Sequence, residues 1–304
     1  MNVLEWLGKT FKRNQEKRES PMSFRSSRFL RSGAALLTTI ALAFTAGCGS
    51  TGSSESADSS QETVTADTLT IATGEPSYTP WVLNDAPEEG EGYEAALAYA
   101  VADKLGYSKD QVKWVRTTFD AAIAPGAKDW DMNIQQFSIT DERKKAVDFS
   151  PSYYNPTQAL VVRGDSKYAS ATAVSDFKDA TIGVMVGTLA YDFAKEKLAD
   201  STIQTFNDNA TLAQALDANQ IDALVMDTPA AVNVATSGQV TDGKVVGQIP
   251  DTEDPQGMGI VLPKDSALTD KVTKAINEMI EDGTLQELQE KWLAEYTTDV
   301  PTLK

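Results

Sequence analysis

Histidine is absent from the 304-residue sequence, and cysteine occurs only once. Without an imidazole, the chain cannot build a Ser-His-Asp or Cys-His hydrolase centre, nor a histidine-ligated metal site. A single cysteine also excludes an intramolecular disulfide and a cysteine-rich zinc site. We therefore expect no metal and no cofactor, and carboxylates are the groups left for acid–base chemistry.

Positive charge is scarce beyond the N-terminal region. The whole chain carries 27 basic and 44 acidic side chains, a net charge of −17. Eight basic and three acidic side chains fall in residues 1–47, which leaves 19 against 41 in residues 48–304, a net charge of −22. Such a surface repels nucleic acid and anionic lipid. We expect no nucleic-acid partner, and the ordinary consequence of the charge is solubility.

The apolar run at residues 33–44 is shorter than the roughly 20 residues that span a bilayer. It follows a basic region formed by Arg25, Arg28 and Arg31, and small residues lead from it to Cys48. This order resembles a bacterial lipoprotein signal, in which the cysteine thiol is diacylated and the preceding peptide is removed. An ordinary secretory signal and a true membrane span are the alternative interpretations.

The signal determines the expected organisation of the N-terminal part. Residues 1–47 form the signal region, in which Met22 is a more natural start than Met1, and Cys48 is the lipidation site. Residues 48–66 are rich in Ser, Thr, Gly, Asp and Glu and have almost nothing to bury. We expect them to form a disordered tether, so that a lipid anchor is the only attachment to the membrane.

From Leu69 onward, strand and helix patterns alternate. The predicted strands are residues 69–72, 112–115, 130–134, 159–162, 181–186, 203–206 and 221–226. The predicted helices are residues 94–105, a segment around Phe193, and residues 211–218. Alternation of this kind predicts mostly parallel sheets flanked by helices. Ligands of such sheets bind outside the carboxyl ends of the strands.

One motif combines hydroxyl groups, a helix start and an arginine. It is Ser138-Ile139-Thr140-Asp141-Glu142-Arg143, directly after the predicted strand at 130–134. Free amides at a helix N-terminus favour an anion, and a guanidinium binds a carboxylate through two parallel bonds. Alternatively, Thr140 caps the helix and Arg143 is a surface charge. The motif alone leaves both interpretations open.

This motif and the following Val147-Asp148-Phe149-Ser150 resemble the family 3 extracellular solute-binding proteins, the substrate receptors of amino-acid ABC importers. The resemblance continues in order from Leu69 to about Tyr296. Further matching segments are Tyr78-Thr79-Pro80-Trp81, Gly92-Tyr93-Glu94, Thr118-Phe119, Gly187-Thr188, Ile221 to Asp227, Asp282-Gly283-Thr284-Leu285 and Lys291-Trp292-Leu293. It implies the α/β fold of the type II periplasmic binding proteins. Each of its two lobes is a mostly parallel sheet flanked by helices, with the ligand cleft between them.

The resemblance also implies a discontinuous first lobe. Lobe 1 would contain residues 67–160 and 255–304, and lobe 2 residues 161–254. The chain would cross between them near residues 158–163 and again near 251–259.

By the same resemblance, the ends of an amino acid would be held by opposite charges. Arg143 and Ser138 would bind the α-carboxylate, with the backbone amides of Thr188 and Leu189 reaching it from the second lobe. Asp227 would take the α-ammonium. Gln136 would offer its carbonyl oxygen there, with its side chain pointing elsewhere. As an alternative, Asp227 caps a helix before Pro229, and Thr188 caps the helix that follows it.

The remaining predicted contacts concern the ligand's side chain. Tyr78 and Phe119 stand where the family places aromatic rings against the ligand, although each could instead belong to a lobe core. Glu75 disfavours an acidic ligand and favours a polar or basic one, whereas Met185 adds an apolar, adaptable wall. The complete set of predicted site residues is Glu75, Tyr78, Phe119, Gln136, Ser138, Arg143, Met185, Thr188, Leu189 and Asp227.

The function implied by the resemblance is binding without catalysis. We expect a monomeric extracytoplasmic lipoprotein on the outer face of the cell membrane. It would bind a polar amino acid and deliver it to an ABC permease with its ATPase. One alternative is an enzyme on the same fold, similar to the cyclohexadienyl or arogenate dehydratases, in which a carboxylate such as Glu75 would act as general acid. The sensor lobe of a receptor is a third hypothesis.

Overall fold

The computed structural model describes residues 62–304. The expected signal region, the lipidation site Cys48 and the tether up to residue 61 lie outside the described residues. Within residues 62–304, no helix has the length and apolar character needed to cross a membrane.

The end of the expected tether, residues 62–66, is attached to the fold. The backbone N–H of Val64 donates to Oδ1 of Asp131 at 2.6 Å, and Glu62 forms an ion pair with Lys271 at 2.6 Å. Thr63 is buried. The prediction of disorder is therefore wrong for these five residues, because a buried carboxylate and a helix lysine supply partners that composition does not reveal.

Ten strands and seven α-helices form within residues 62–304. The strands are β1 (Leu69–Thr73), β2 (Val112–Arg116), β3 (Met132–Asn133), β4 (Val147–Phe149), β5 (Gln158–Val162), β6 (Thr181–Met185), β7 (Thr202–Phe206), β8 (Ala223–Asp227), β9 (Lys244–Gln248) and β10 (Val261–Pro263). The helices are α1 (Tyr93–Lys104), α2 (Phe119–Ile123), α3 (Leu189–Lys197), α4 (Asn209–Asp217), α5 (Thr228–Thr236), α6 (Thr269–Glu281) and α7 (Thr284–Leu293).

The strands form two five-stranded sheets with the same arrangement. Their orders are β2-β1-β3-β10-β4 in the first sheet, which defines lobe 1, and β7-β6-β8-β5-β9 in the second, which defines lobe 2. In each sheet four strands run in one direction. The fourth strand in the order, β10 or β5, is antiparallel to both of its neighbours.

The reversed strands follow from the path of the chain. β5 and β10 are the strands by which the chain enters each lobe from the other one, so they begin at the side where the lobes meet. The other strands around them end at that side, as Met185 of β6 and Asp227 of β8 illustrate. The entering strand must therefore run in the opposite direction.

Each lobe has its own apolar core. In lobe 1, α1, α6 and α7 cover one face of the sheet, and α6 buries Val272, Ala275, Ile276 and Met279 at helical spacing. In lobe 2, β5 is buried along its whole length because helices and loops cover both faces of its sheet.

The start of α1 is held by a close backbone approach. The N–H groups of Tyr93 and Glu94 donate to the carbonyls of Pro80 and Trp81 at 3.0 and 2.9 Å. Gly92 precedes them with a φ of 99°. These bonds satisfy helix amides that have no partner inside the helix, and they fix the Gly92-Tyr93-Glu94 segment against Trp81.

The first lobe boundary differs from the prediction. Residues 158–162 were expected at a crossing and partly in lobe 1, but they form β5, which pairs with β8 and β9 of lobe 2. The chain crosses just before, at residues 155–157, and returns at residues 250–257. The two crossing segments run side by side, since the N–H of Asp254 donates to the carbonyl of Pro156 at 3.1 Å. A continuous apolar strand does not reveal to which sheet it belongs.

The C-terminal residues also depart from the expected lobe 1. After α7 the chain passes to lobe 2, where Leu303 is buried in the core. There the N–H of Leu303 donates to the carbonyl of Gln248 at 2.9 Å, and the N–H of Gln248 donates to the carbonyl of Pro301 at 2.7 Å. The assignment of residues 255–304 to lobe 1 is therefore wrong for this tail, because one buried apolar side chain, that of Leu303, is a weak sequence signal.

Candidate functional site

A cleft of about 310 Å³ lies where the two lobes meet. Its walls come from the carboxyl ends of β1, β6 and β8 and from the loops after β3 and β7, as expected for sheets of this kind. The lining residues are Thr73, Glu75, Pro76, Ser77, Tyr78, Thr118, Phe119, Gln135, Gln136, Ser138, Pro156, Gln158, Met185, Thr188, Leu189, Ala190, Asn207, Asp208, Asn209, Val225, Met226, Asp227 and Met258.

Nine of the ten predicted site residues line this cleft. They come from both lobes and are Glu75, Tyr78, Phe119, Gln136, Ser138, Met185, Thr188, Leu189 and Asp227. Their contact with a ligand stays a prediction. Arg143 is the exception: it does not line the cleft, but it contacts Ser138 and Phe119, which do.

The guanidinium of Arg143 links the two lobes. Nη1 donates to the carbonyl of Ser138 at 2.6 Å, and Nη2 donates to the carbonyl of Gly187, in lobe 2, at 2.8 Å. The guanidinium carbon lies 5.3 Å from the centre of the Phe119 ring. Burial lowers the pKa of Arg143, an effect that the carboxylates of Asp254, Asp192 and Asp120 oppose.

The helix expected at Arg143 is only a three-residue 3₁₀ turn, Arg143–Lys145, before the chain enters β4. The prediction of a helix there is wrong, because a strand begins two residues after the turn. A single turn contributes little dipole, so any anion site at this position depends on the guanidinium.

Asp227 both caps a helix and lines the cleft. Its Oδ1 accepts from the N–H of Ala230 at 3.1 Å, with Pro229 in the first turn of α5. The helix cap is therefore observed, and the contact of Asp227 with an α-ammonium stays a prediction. Burial raises the pKa of Asp227 to about 6, because the single cap hydrogen bond offsets only part of the cost of desolvating the charge.

Thr188 stands before α3 but makes no cap hydrogen bond; its hydroxyl donates to the carbonyl of Met185 at 2.8 Å. Phe119 stacks on the buried Phe137 with ring centres 4.7 Å apart. Phe119 is therefore at once part of the lobe 1 core and a wall of the cleft. Tyr78 is half-buried, and burial followed by the charge of Asp208 raises its pKa.

Sequence reasoning missed Asp208. It follows β7 and caps α4, with Oδ1 accepting from the N–H of Thr211 at 2.8 Å. The polar run Asn207-Asp208-Asn209 after a predicted strand was the available signal, since the ends of β6, β7 and β8 share one edge of the sheet.

The charge of the cleft lining has one sign. Glu75, Asp208 and Asp227 contribute carboxylates, and none of the lining residues is Lys or Arg. These carboxylates are spread over both lobes, and within residues 62–304 no three acidic side chains form a group that could hold a metal ion.

Two polar side chains in the lining are almost fully buried. Thr73 is 1% exposed and Gln158 is 4% exposed. Neither the hydroxyl of Thr73 nor Oε1 of Gln158 has a hydrogen-bond partner among the described residues. Because buried polar atoms are nearly always paired, these two atoms favour a polar ligand.

Beneath the cleft, Gln136 is tied to the buried carboxylate of Glu94. The backbone N–H of Gln136 donates to Oε1 of Glu94 at 2.8 Å, and its side-chain Nε2 donates to Oε2. Gln136 has a φ of 52°, in the left-handed region. Its side chain thus reaches down to Glu94.

Residues 69–295 match the family of bacterial extracellular solute-binding proteins, family 3. The chain is 33% identical over 205 residues to the arginine-binding extracellular protein ArtP of Bacillus subtilis, covering 66% of this chain and 77% of ArtP. It is 32% identical over 223 residues to the L-cystine-binding protein TcyJ of Escherichia coli, covering 72% of this chain and 80% of TcyJ.

Among solved structures, the chain is similar to an ancestral amino acid-binding protein described as a precursor of cyclohexadienyl dehydratase. The TM-score is 0.62 and the identity 32%, over 75% of this chain and 96% of the ancestral protein.

Proposed function

The chain belongs to the bacterial extracellular solute-binding proteins of family 3, and we propose that it binds a cationic amino acid and delivers it to the membrane permease of an ABC importer. The observation that carries the proposal is the cleft between the lobes, lined by Glu75, Asp208 and Asp227 and by no basic side chain.

The three carboxylates match the charges of such a ligand. The α-ammonium of the ligand pairs with Asp227, while its cationic side chain lies between Tyr78, Glu75 and Asp208. Arg143 turns its guanidinium from the carbonyl of Gly187 to the α-carboxylate. A neutral or acidic side chain leaves the carboxylates of Glu75 and Asp208 without a counter-charge, which is unfavourable in a partly buried site.

The relative named for arginine supports this assignment. The dehydratase alternative is favoured by one observation: Asp227, a carboxyl with a raised pKa, lines the cleft and could act as general acid. However, prephenate, the substrate of a cyclohexadienyl dehydratase, carries two carboxylates and would meet those of Glu75 and Asp208. Charge repulsion therefore makes binding of an amino acid the better proposal.

A thermal-shift screen on residues 62–304 tests the ligand class. L-arginine and L-lysine are expected to raise the melting temperature, because a ligand at 100 times its Kd stabilises the folded state by about 2.7 kcal/mol. Glutamate and prephenate are expected to produce no shift. The Glu75→Gln variant serves as the control, and its preference should move from arginine towards glutamine. A shift with glutamine or cystine alone would contradict the cationic ligand, and a shift with prephenate alone would favour the enzyme.

We further propose that Cys48 carries the lipid anchor and that residues 1–47 are removed with the signal. The Cys48→Ala variant is expected to leave the membrane fraction and appear in the detergent-free supernatant, with its ligand affinity unchanged. Cell fractionation with immunoblotting measures this. An uncleaved variant that still sediments with membranes would instead mean that residues 33–44 are retained as a membrane span.

A further inference from the structure

Glu94 is a fully buried carboxylate that does not line the cleft. It lies in the first turn of α1 and is 0% exposed. Three donors reach its two oxygens: the backbone N–H of Gln136, Nε2 of Gln136 and the hydroxyl of Tyr153. Two of these donors belong to Gln136, a residue of the cleft lining.

This arrangement holds Gln136 in an uncommon conformation. A residue other than glycine is rarely found at positive φ, and such conformations persist when the surroundings determine them. Here Glu94 binds both the main-chain and the side-chain amide of Gln136, which keeps the Gln136 side chain away from the ligand space. The shape of the cleft beside Asp227 therefore depends on a carboxylate outside it.

The protonation state of Glu94 determines whether its carboxyl group can accept the hydrogen bonds that hold Gln136. An ionised carboxylate accepts all three hydrogen bonds, whereas a carboxylic acid carries an O–H that needs an acceptor. The two Gln136 amides can only donate, so a proton on Glu94 fits only towards the Tyr153 hydroxyl, which must then rotate.

Burial opposes the ionised form. Desolvation raises the pKa of Glu94 to about 7, and the nearby charge of Asp227 adds to the effect, while the hydrogen bonds from Tyr153 and Gln136 act in the opposite direction. The other titratable groups around it are the hydroxyls of Tyr93, Tyr153 and Tyr154, whose pKa values burial raises, so they stay neutral. Glu94 and Asp227 are thus the carboxyls here that respond to an incoming cation.

We propose that Glu94 is a positioning residue for the ligand and that ligand binding is coupled to its ionisation. When the ammonium group of the ligand enters beside Asp227 and Gln136, it compensates the charge of Asp227 and favours the Glu94 carboxylate. The O–H bond of the carboxylic acid breaks, its electron pair remains on the oxygen, and the proton passes to the buffer. This inference rests on the proposed function, which supplies the ammonium group.

The sign of the pH dependence follows from the raised pKa. Below pH 7, Glu94 is mostly protonated in the free protein, and binding must remove that proton, so affinity falls as the pH falls. Above pH 8 the carboxylate is already ionised, and affinity no longer depends on this group. Burial also raises the pKa of Asp227, which adds a dependence of the same sign, so comparison with the Glu94→Gln variant isolates Glu94.

Calorimetric titration with L-arginine at pH 7, in buffers of different ionisation enthalpy, measures the protons released. The wild-type protein is expected to release roughly half a proton per ligand, as a group near its pKa is half protonated. Glu94→Gln should abolish this release and weaken binding. Tyr153→Phe removes one donor to the carboxylate and should move the maximum of proton release to higher pH.

Asp131→Asn provides the matched control. Asp131 is another buried lobe 1 carboxylate with a raised pKa, but it accepts from Val64 and Thr70 away from the cleft. Its replacement should leave the proton release unchanged. If circular dichroism shows that Glu94→Gln does not fold, the pH of maximal proton release in Tyr153→Phe tests the proposal. An unchanged pH then contradicts it.

The outcomes separate the two proposals. Wild-type protein that binds L-arginine without releasing protons, or a folded Glu94→Gln variant with wild-type release, overturns the coupling alone. Wild-type protein that binds no amino acid at all overturns the proposed function and the coupling with it.

Discussion

The Asp227→Asn variant is expected to bind its amino acid at least a hundredfold more weakly than the wild-type protein. The substitution keeps the shape of the side chain but removes the charge that we propose faces the α-ammonium. Losing one partner of a buried charged pair costs about 3–5 kcal/mol, and each 1.4 kcal/mol is about tenfold in Kd. Folding should be preserved, because asparagine caps helices as well as aspartate does and can still accept from Ala230. Calorimetric titration of the folded variant measures the loss.

Asp208→Asn is the matched control for this experiment. It is the same substitution at another helix cap in the same cleft. Asp208→Asn should weaken the binding of cationic ligands more than that of neutral ones. Asp227→Asn should weaken the binding of every amino acid alike. Equal losses for both variants and all ligands would indicate a general electrostatic effect in place of an ammonium contact.

The Arg143 variants test the opposite end of the ligand, its α-carboxylate. Arg143→Ala removes the proposed partner of the α-carboxylate together with the bonds to Ser138 and Gly187, and a loss of similar size is expected. Arg143→Lys should rescue little, because an ammonium cannot make two parallel bonds. Affinity within about threefold of wild type for a folded Arg143→Ala, less than 1.4 kcal/mol, would contradict the carboxylate contact.

The Gly92→Ala variant is expected to lose about 3 kcal/mol or more of unfolding free energy, through backbone strain and overpacking together. Gly92 has a φ of 99° and a ψ of 160°, and a Cβ there would lie 2.6 Å from the carbonyl oxygen of Trp81. Relief of that clash would disturb the bonds that hold the start of α1. The midpoint of urea denaturation, with the slope held constant, measures the change.

Gly106→Ala separates the cost of a positive φ from the cost of the close contact with Trp81. Gly106 also has a positive φ, 88°, but a Cβ there would have no atom within 4 Å. It should cost about 1–2 kcal/mol, the conformational penalty alone. If both variants lose the same free energy, the approach to Trp81 contributes nothing to the stability of lobe 1.

Much of the fold was predictable from alternating strand and helix patterns. The apolar runs at residues 69–72 and 181–186 became β1 and β6, whereas Met185 and Asp227 were singled out by the family resemblance. Local apolar pattern determines such elements because their burial and their backbone hydrogen bonding have the same period.

What sequence could not reveal depends on contacts between distant residues. The pairing of β5 with β8, the attachment of Val64 to Asp131 and the bond of Leu303 to Gln248 in lobe 2 all involve separations of more than 50 residues. The role of Glu94 was hidden for the same reason: an acidic residue in the first turn of a helix is ordinarily a dipole complement. Only the fold brings Gln136 above it.

The C-terminal tail has a consequence for the behaviour of the protein in concentrated solution. β9 is the last strand of its sheet, and an exposed edge strand offers free amides and carbonyls to strands of other molecules. Residues 301–303 occupy those groups at Gln248, and Gly247 has room for them because a side chain there would meet Pro301 at 2.8 Å. Residues 301–303 thereby cover this edge of β9 and oppose edge-to-edge aggregation.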